Sequence, residues 1–247
     1  MQWQQKTALV TGANRGIGLA LVKALIARKV KRIYLGGRDL AALEQTIQEL
    51  GASSSELVAI QLDVTSAADI AQASRSLSEL DILINNAGIA NSSGFIQETS
   101  GDIAQLEMAT NYFGPVNLTR ALLPQLQQSS QAAIINISSI AGIANMPLLG
   151  PYSASKAALH SFTQGLRAEL AKSEIFVQGV YPGPVATRMS EGFELSKALP
   201  AEVADIILTG VEQKEEDIFP DAMSANWYNT FKTNPKQLEQ EYASWLG

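Results

Sequence analysis

Tyr152 and Lys156 stand four residues apart in a helical pattern, a spacing that puts a phenol and an ammonium on one helix face. That pair can do acid–base chemistry. A free tyrosine titrates near pH 10, and an adjacent positive charge favours the phenolate and pulls that value down. Tyr152 is thereby expected to exchange a proton with a substrate oxygen near neutral pH. Ser139 follows an apolar strand-like run and can donate a hydrogen bond to the same oxygen as charge develops on it. Asn111 lies within a helical pattern with Leu106, Met108 and Tyr112. Asparagine is a poor helix former, so it marks either a specific polar task or a solvated position.

A second constellation lies near the start of the chain. Thr11-Gly12-Ala13-Asn14-Arg15-Gly16-Ile17-Gly18 follows the apolar run Ala8-Leu9-Val10 and opens a helical pattern at Leu19, Val22, Leu25 and Ile26. A strand, a glycine turn and a helix N-terminus together make an anion site, where free N–H groups and the helix dipole converge on a phosphate. Gly12, Gly16 and Gly18 remove side chains that would obstruct a pyrophosphate, although such turns also serve purely structural ends. The second strand ends in Gly36-Gly37-Arg38-Asp39, where an NAD site carries an acid for the ribose 2′-hydroxyl. Arg38, helped by Arg15, suits a 2′-phosphate instead, and Asp39 reads as a helix cap. The expected cofactor is NADP(H) in preference to NAD(H). Asp63-Val64 and Asn85-Asn86-Ala87-Gly88 follow the third and fourth strands, where they would reach the same side of a sheet. Both are also ordinary turn sequences.

These residues need elements to position them. Apolar runs predict strands at 6–11, 31–36, 56–61, 80–85, 132–138, 175–181 and a short one near 217–219. Amphipathic spacing predicts helices at 16–29, 39–50, 66–78, 100–127, 152–172 and 201–213. Asp39 and Ser66 are N-cap types, Pro151 suits a first helical turn, and Gly51 suits the residue after a helix. Strands apolar on both faces and alternating with helices predict an α/β, Rossmann-like, doubly wound parallel sheet of about seven strands, helices covering both sides. No linker or repeat divides residues 1–247, so a single domain is expected, its last part (221–247) a helical tail.

Composition narrows the function classes. The chain is 46% apolar and 17% charged, the profile of a globular protein. With 18 Lys and Arg against 24 Asp and Glu, and no basic cluster, nucleic-acid binding is disfavoured. The absence of cysteine rules out disulfides, thiol catalysis and thiolate-bound metals, and the lone His160 argues against a histidine-rich metal site. The first strand begins near residue 6, no signal peptide or membrane span is read, and a cytoplasmic protein is expected.

Taken in order, T-G-x-x-x-G-x-G (Thr11 to Gly18), Asp63-Val64, N-N-A-G (Asn85 to Gly88), Asn111, Ser139, Tyr152-x-x-x-Lys156 and Pro182-Gly183-x-x-x-Thr187 closely resemble the short-chain dehydrogenase/reductase family, over residues 6 to about 190. The resemblance implies that Tyr152 passes the proton, Lys156 lowers its pKa and binds the nicotinamide ribose, Ser139 polarises the carbonyl, and Asn111 holds a relay water. Ser139 rather than Ser138 takes this role because relatives keep the serine 13 residues before the tyrosine. It further implies cofactor contacts at Gly12, Asn14, Arg15, Gly16, Ile17, Gly18, Arg38, Asn86, Ala87, Gly88, Pro182 and Gly183. Asp63 and Val64 would take the adenine, and Val185 and Thr187 the nicotinamide end. Family members with arginines at the Arg15 and Arg38 positions prefer NADP.

The implied activity is an NADPH-dependent carbonyl reductase, reversible as an alcohol dehydrogenase, whose partner is a small carbonyl or alcohol. Met146, Leu148, Leu149, Met189, Phe193 and Leu195 point to a hydrophobic or medium-sized ketone or aldehyde. A 3-oxoacyl-carrier-protein reductase is the alternative, but Ser130 and Ser173, the latter followed by Glu174, stand where such enzymes keep carrier-docking arginines. A non-catalytic NADP(H)-binding regulator is the reading from another class. Relatives imply a homodimer or homotetramer. His160 reads as a packing or interface histidine. The aromatic tail, with Trp227, Tyr228, Phe231, Tyr242 and Trp245, reads as one further helix, packed on the core or an interface or capping the substrate site.

Overall fold

Seven strands carry the candidate residues, and the computed structural model describes residues 2–96 and 103–246 of the chain. The strands are β1 (Thr7–Thr11), β2 (Arg32–Gly37), β3 (Glu56–Gln61), β4 (Ile82–Asn85), β5 (Ala132–Ile137), β6 (Ile175–Val180) and β7 (Asp217–Ile218). All pair in parallel in the order β3-β2-β1-β4-β5-β6-β7. The order reverses between β1 and β4, so the crevice of this doubly wound sheet opens at the C-terminal ends of those two strands.

The helices are α1 (Gly16–Ala27), α2 (Leu40–Leu50), α3 (Ala67–Ser76), α4 (Ile103–Met108), α5 (Gly114–Leu126), α6 (Gly150–Leu170), α7 (Pro200–Gln213), α8 (Ala222–Thr233) and α9 (Pro235–Ala243). Side chains alternate across each strand, and here both faces are covered. Ala133, Ile135 and Ile137 of β5 join one core with Leu21, Leu25, Val203 and Ile207 of α1 and α7. Ala132 and Ile134 join the other with Ile70, Leu118, Leu122 and Leu166 of α3, α5 and α6. Among the described residues no helix is long and apolar enough to cross a membrane.

Helix boundaries follow the local chemistry. Asp39 accepts from Ala42 N at 3.0 Å and Ser66 from Asp69 N at 3.2 Å, each as an N-cap. Gly51 closes α2 at φ 69°, and Pro151 lies in the first turn of α6.

The helix expected over 100–127 is instead three pieces. Residues 100–102 lie outside the described residues; α4 is followed by a π-helical turn at Ala109–Phe113 and then by α5. Pro115 has no N–H to return to Asn111, and the ladder widens so that Gly114 N bonds Ala109 O. A Cβ on Gly114 would come within 2.8 Å of Val64 Cγ2, so a larger residue would push α5 off the strand ends. The tail is also two helices rather than one. α8 stops at the residue before Pro235, as pre-proline sterics require, and Asn234 then caps α9 by accepting from Gln237 N at 3.1 Å.

Candidate active site

The glycine loop is shaped by conformations and contacts that side chains would forbid. Gly12 and Gly16 hold φ of 65° and 56°, in the left-handed region. A Cβ on Gly18 would overlap the Gly12 carbonyl, so α1 can start this close to β1 only with glycine there. Arg15, the N-cap of α1, gives no side-chain acceptor to the first turn. The donors of that turn therefore remain available to an anion, which is the chemistry a pyrophosphate needs.

Asn86 and Ala87 brace this loop. Thr11 Oγ1 accepts from Asn86 N and Ala87 N, both at 2.9 Å, and donates to Ile84 O at 3.2 Å. Asn86 Nδ2 donates to Thr11 O at 2.8 Å and Gly12 O at 3.3 Å. Asn85 points elsewhere. Its Nδ2 donates to Asn136 Oδ1 at 2.8 Å and Thr119 Oγ1 at 3.2 Å, and Asn136 Nδ2 donates to Thr163 Oγ1 at 3.0 Å. This buried ladder ties β4, β5, α5 and α6 together, and nothing in the spacing of its members foretold it.

Gly88 joins the two constellations. A Cβ on it would lie 3.1 Å from Asn111 Oδ1 and 3.5 Å from Lys156 Nζ. Asn111 is fully buried on the π turn, so the solvated alternative is excluded. It accepts from Ile89 N at 2.9 Å and donates to Ile89 O and Ser155 Oγ, each at 2.9 Å.

Tyr152 and Lys156 share the buried face of α6. Lys156 Nζ donates to Ile137 O at 2.8 Å and lies 5.7 Å from the centre of the Tyr152 ring. The two adjacent serines divide the work. Ser138 Oγ donates to Lys156 O at 3.0 Å, fixing α6 to β5, while Ser139 begins the turn beside the Tyr152 hydroxyl and accepts from Ala141 N at 3.1 Å. Gly142 allows this packing, because a Cβ there would sit 2.7 Å from the Lys156 backbone.

The electrostatics depart from the sequence expectation. Burial pushes the Tyr152 phenol up to about 12, offset in part by the Ser139 hydroxyl and reinforced by the charge of Glu107. Burial likewise pushes Lys156 down to about 8. The phenol is therefore shifted up rather than down: both groups sit out of water, and desolvation is the largest cause acting on each. Glu107 was not anticipated at all, because a single acid in a short amphipathic segment looks solvated until the fold buries it.

At the far end of the crevice Arg15 and Arg38 are exposed, and among the described residues neither is in an ion pair. Asp39 is occupied as the cap of α2. Asp63 Oδ1 accepts from Thr65 N at 2.9 Å and Thr65 Oγ1 at 2.7 Å, and Val64 is buried against Gly114. Asn14 and Ile17 are half-buried in the loop and first turn, Ile17 packed on the core.

After β6, Pro182 O accepts from Ile140 N at 3.0 Å, which ties this turn to Ser139. Thr187 faces the glycine loop, its Cγ2 3.2 Å from where a Gly16 Cβ would be. Val185 lies nearby with its side chain in the core beside α7. Gly183 N donates to Asp221 Oδ2 at 2.8 Å, and Asp221 also caps α8 through Ser224 N at 2.8 Å. The tail thus reaches the site. Trp227, Leu238 and Tyr242 form a third core with Ile140, Met146 and Tyr152, so α8 and α9 back the wall that carries the phenol. His160 Nδ1 lies 2.7 Å from Tyr181 Oη with the rings edge to face, the geometry of a packing histidine. Met146 is buried, whereas Leu148, Met189 and Leu195 are exposed.

Residues 6–198 match the profile of the short chain dehydrogenase family. The chain belongs to that family. It is 33% identical over 249 residues to dehydrogenase/reductase SDR family member 7B of Bos taurus, covering 88% of this chain and 76% of the relative. It is 31% identical over 224 residues to ketoacyl reductase HetN of Nostoc sp., covering 86% and 77%. A short chain dehydrogenase from Burkholderia cenocepacia in complex with NADP superposes with a TM-score of 0.91 at 32% identity, covering 98% of this chain and 99% of that one. As a short-chain dehydrogenase, this protein is an oxidoreductase built on a single Rossmann-like sheet.

Proposed function

We propose that this short-chain dehydrogenase is an NADP(H)-dependent carbonyl reductase, reversible as an alcohol dehydrogenase, acting on hydrophobic or medium-sized ketones and aldehydes. One observation carries the reading: Asn111, Ser139, Tyr152 and Lys156 converge at one end of a crevice whose other end is flanked by two exposed arginines. Gly12, Gly16 and Gly18 would take the pyrophosphate at the N-terminus of α1, and Arg15 and Arg38 the 2′-phosphate. Asp63 and Val64 would take the adenine; Gly88, Lys156, Pro182, Gly183 and Thr187 would line the nicotinamide end. NADP in the Burkholderia relative supports that preference. When bound, the nicotinamide supplies or accepts the hydride.

The chain's own part is proton management. With its phenol held up to about 12, Tyr152 keeps its proton at neutral pH and suits donation to a carbonyl oxygen on its way to an alcohol. Ser139 donates a second hydrogen bond to that oxygen. Alcohol oxidation needs the phenolate, so its rate rises with pH. Apolar side chains at Leu148, Leu149, Met189 and Leu195 favour an apolar substituent on the carbonyl.

The test is NADPH oxidation against a panel of ketones and aldehydes. Tyr152→Phe should lower turnover by about 10²–10⁴-fold with NADPH affinity retained; retained turnover would sink the reading. Arg38→Asp should weaken NADPH by about tenfold to a hundredfold and leave NADH little changed, since a charge-assisted bond contributes about 1.5–3 kcal/mol. An unaltered NADPH affinity would refute the 2′-phosphate assignment. The ketoacyl reductase of Nostoc sp. supports a second reading, reduction of a 3-oxoacyl thioester. Ser130, Ser173 and Glu174 are exposed and offer no positive charge to an acidic carrier, so free thioesters should outperform carrier-bound ones.

A further inference from the structure

Glu107 is fully buried in α4. Its Oε1 accepts from Asn91 N at 2.7 Å and from Asn91 Nδ2 at 3.1 Å. Its Oε2 is equally enclosed and has no hydrogen-bond partner among the described residues. One helical turn later, Asn111 holds Ile89 by both its N–H and its carbonyl. Two side chains four residues apart thus grip one loop at positions two residues apart. That loop continues to Ser93, which bridges Leu149, and Ser93 O accepts from Gly150 N at 3.0 Å. Gly150 opens α6 two residues before Tyr152.

An apolar side chain of similar volume would fill this space without the cost of enclosing an acid. The acid does two things that such a side chain could not. It accepts two hydrogen bonds from Asn91, and when ionised its charge holds the proton on the phenol.

We propose that Glu107 is a positioning residue for the proton donor: through Asn91 it clamps the loop at 89–93 onto the start of α6, the helix that carries Tyr152. This rests on the reading of Tyr152 given above. Among the described residues, the charged groups near the phenol are Lys156 from its own helix and Glu107 from α4, which acts on it through its charge, with the neutral Ser139 beside it. Burial holds the Glu107 proton more tightly than in water, and the Asn91 bonds oppose that. Once ionised, Glu107 opposes ionisation of Tyr152.

The sign of the effect follows. Glu107→Gln keeps the shape and an acceptor for Asn91 but removes the charge, so Tyr152 ionises at lower pH. In alcohol oxidation with NADP, the rising limb of kcat/KM against pH should move down by about half a unit, about threefold in rate at fixed alkaline pH. Glu107→Ala also releases the loop, and kcat for ketone reduction should fall by about tenfold, with most of it restored in the glutamine variant. NADPH affinity, followed by fluorescence, should hold in both. Matching reduction rates and matching pH profiles in both variants and the native enzyme would overturn the proposal. If Glu107→Ala fails to fold, the glutamine variant and its pH profile still decide. Tyr152→Phe, run alongside, separates the two claims: its survival as an active enzyme defeats the reading of Tyr152, whereas its inactivity beside unchanged Glu107 variants defeats only the role of Glu107.

Discussion

At the scale of single residues, burial governs the chemistry more than proximity does. Tyr152 and Lys156 were identifiable from their spacing, but the direction of the tyrosine shift was not, because spacing carries no information about solvent. Lys156 exposes the cost of the arrangement. Its folded value of about 8 lies below its ordinary 10.5, so the native state binds fewer protons than the unfolded chain between those limits. Stability should therefore rise with pH across that window, and the penalty is complete below pH 8. Lys156→Met, which removes the charge, should melt higher than the native protein at pH 7, by at most about 3 kcal/mol of stability, and should lose turnover. A lower melting temperature for this variant would mean that the bond to Ile137 O outweighs the desolvation of the ammonium.

At the scale of elements, small and cyclic residues decide which elements meet. Pro115 widens the helix by one residue and so turns Asn111 inward; Gly114 and Gly142 let α5 and α6 close on the strand ends. Caps at Asp39, Ser66 and Gly51 were legible because capping is local chemistry. The π turn was not, since a helical period continues across it. Asp221 acts at this scale too, joining the start of α8 to the turn that carries Gly183. Asp221→Ala removes the cap and frees Gly183 N, and should cost about 1–2 kcal/mol. The KM for NADPH should rise severalfold while kcat changes less. Melting curves with and without NADPH check this: an undiminished shift on adding the cofactor would confine Asp221 to capping.

At the scale of the whole molecule, strand order creates the crevice and three cores hold its walls. Each strand had to be apolar on both faces once helices covered both, and that rule made the doubly wound sheet readable from composition and period alone. The third core was not readable in the same way. Trp227 and Tyr242 announce apolar packing in the tail, but only the folded chain puts them, from two helices and together with Leu238, against Ile140, Met146 and Tyr152. The same distinction runs through the site. Glycines, caps and the Tyr152–Lys156 pair are short-range features, set by backbone sterics and helical geometry, and the sequence by itself determined them. The enclosure of Glu107, the ladder from Asn85 to Thr163 and the tether from Asp221 to Gly183 join residues far apart in the chain. Only tertiary structure decided those, because desolvation and long-range hydrogen bonding depend on which surfaces the fold brings together.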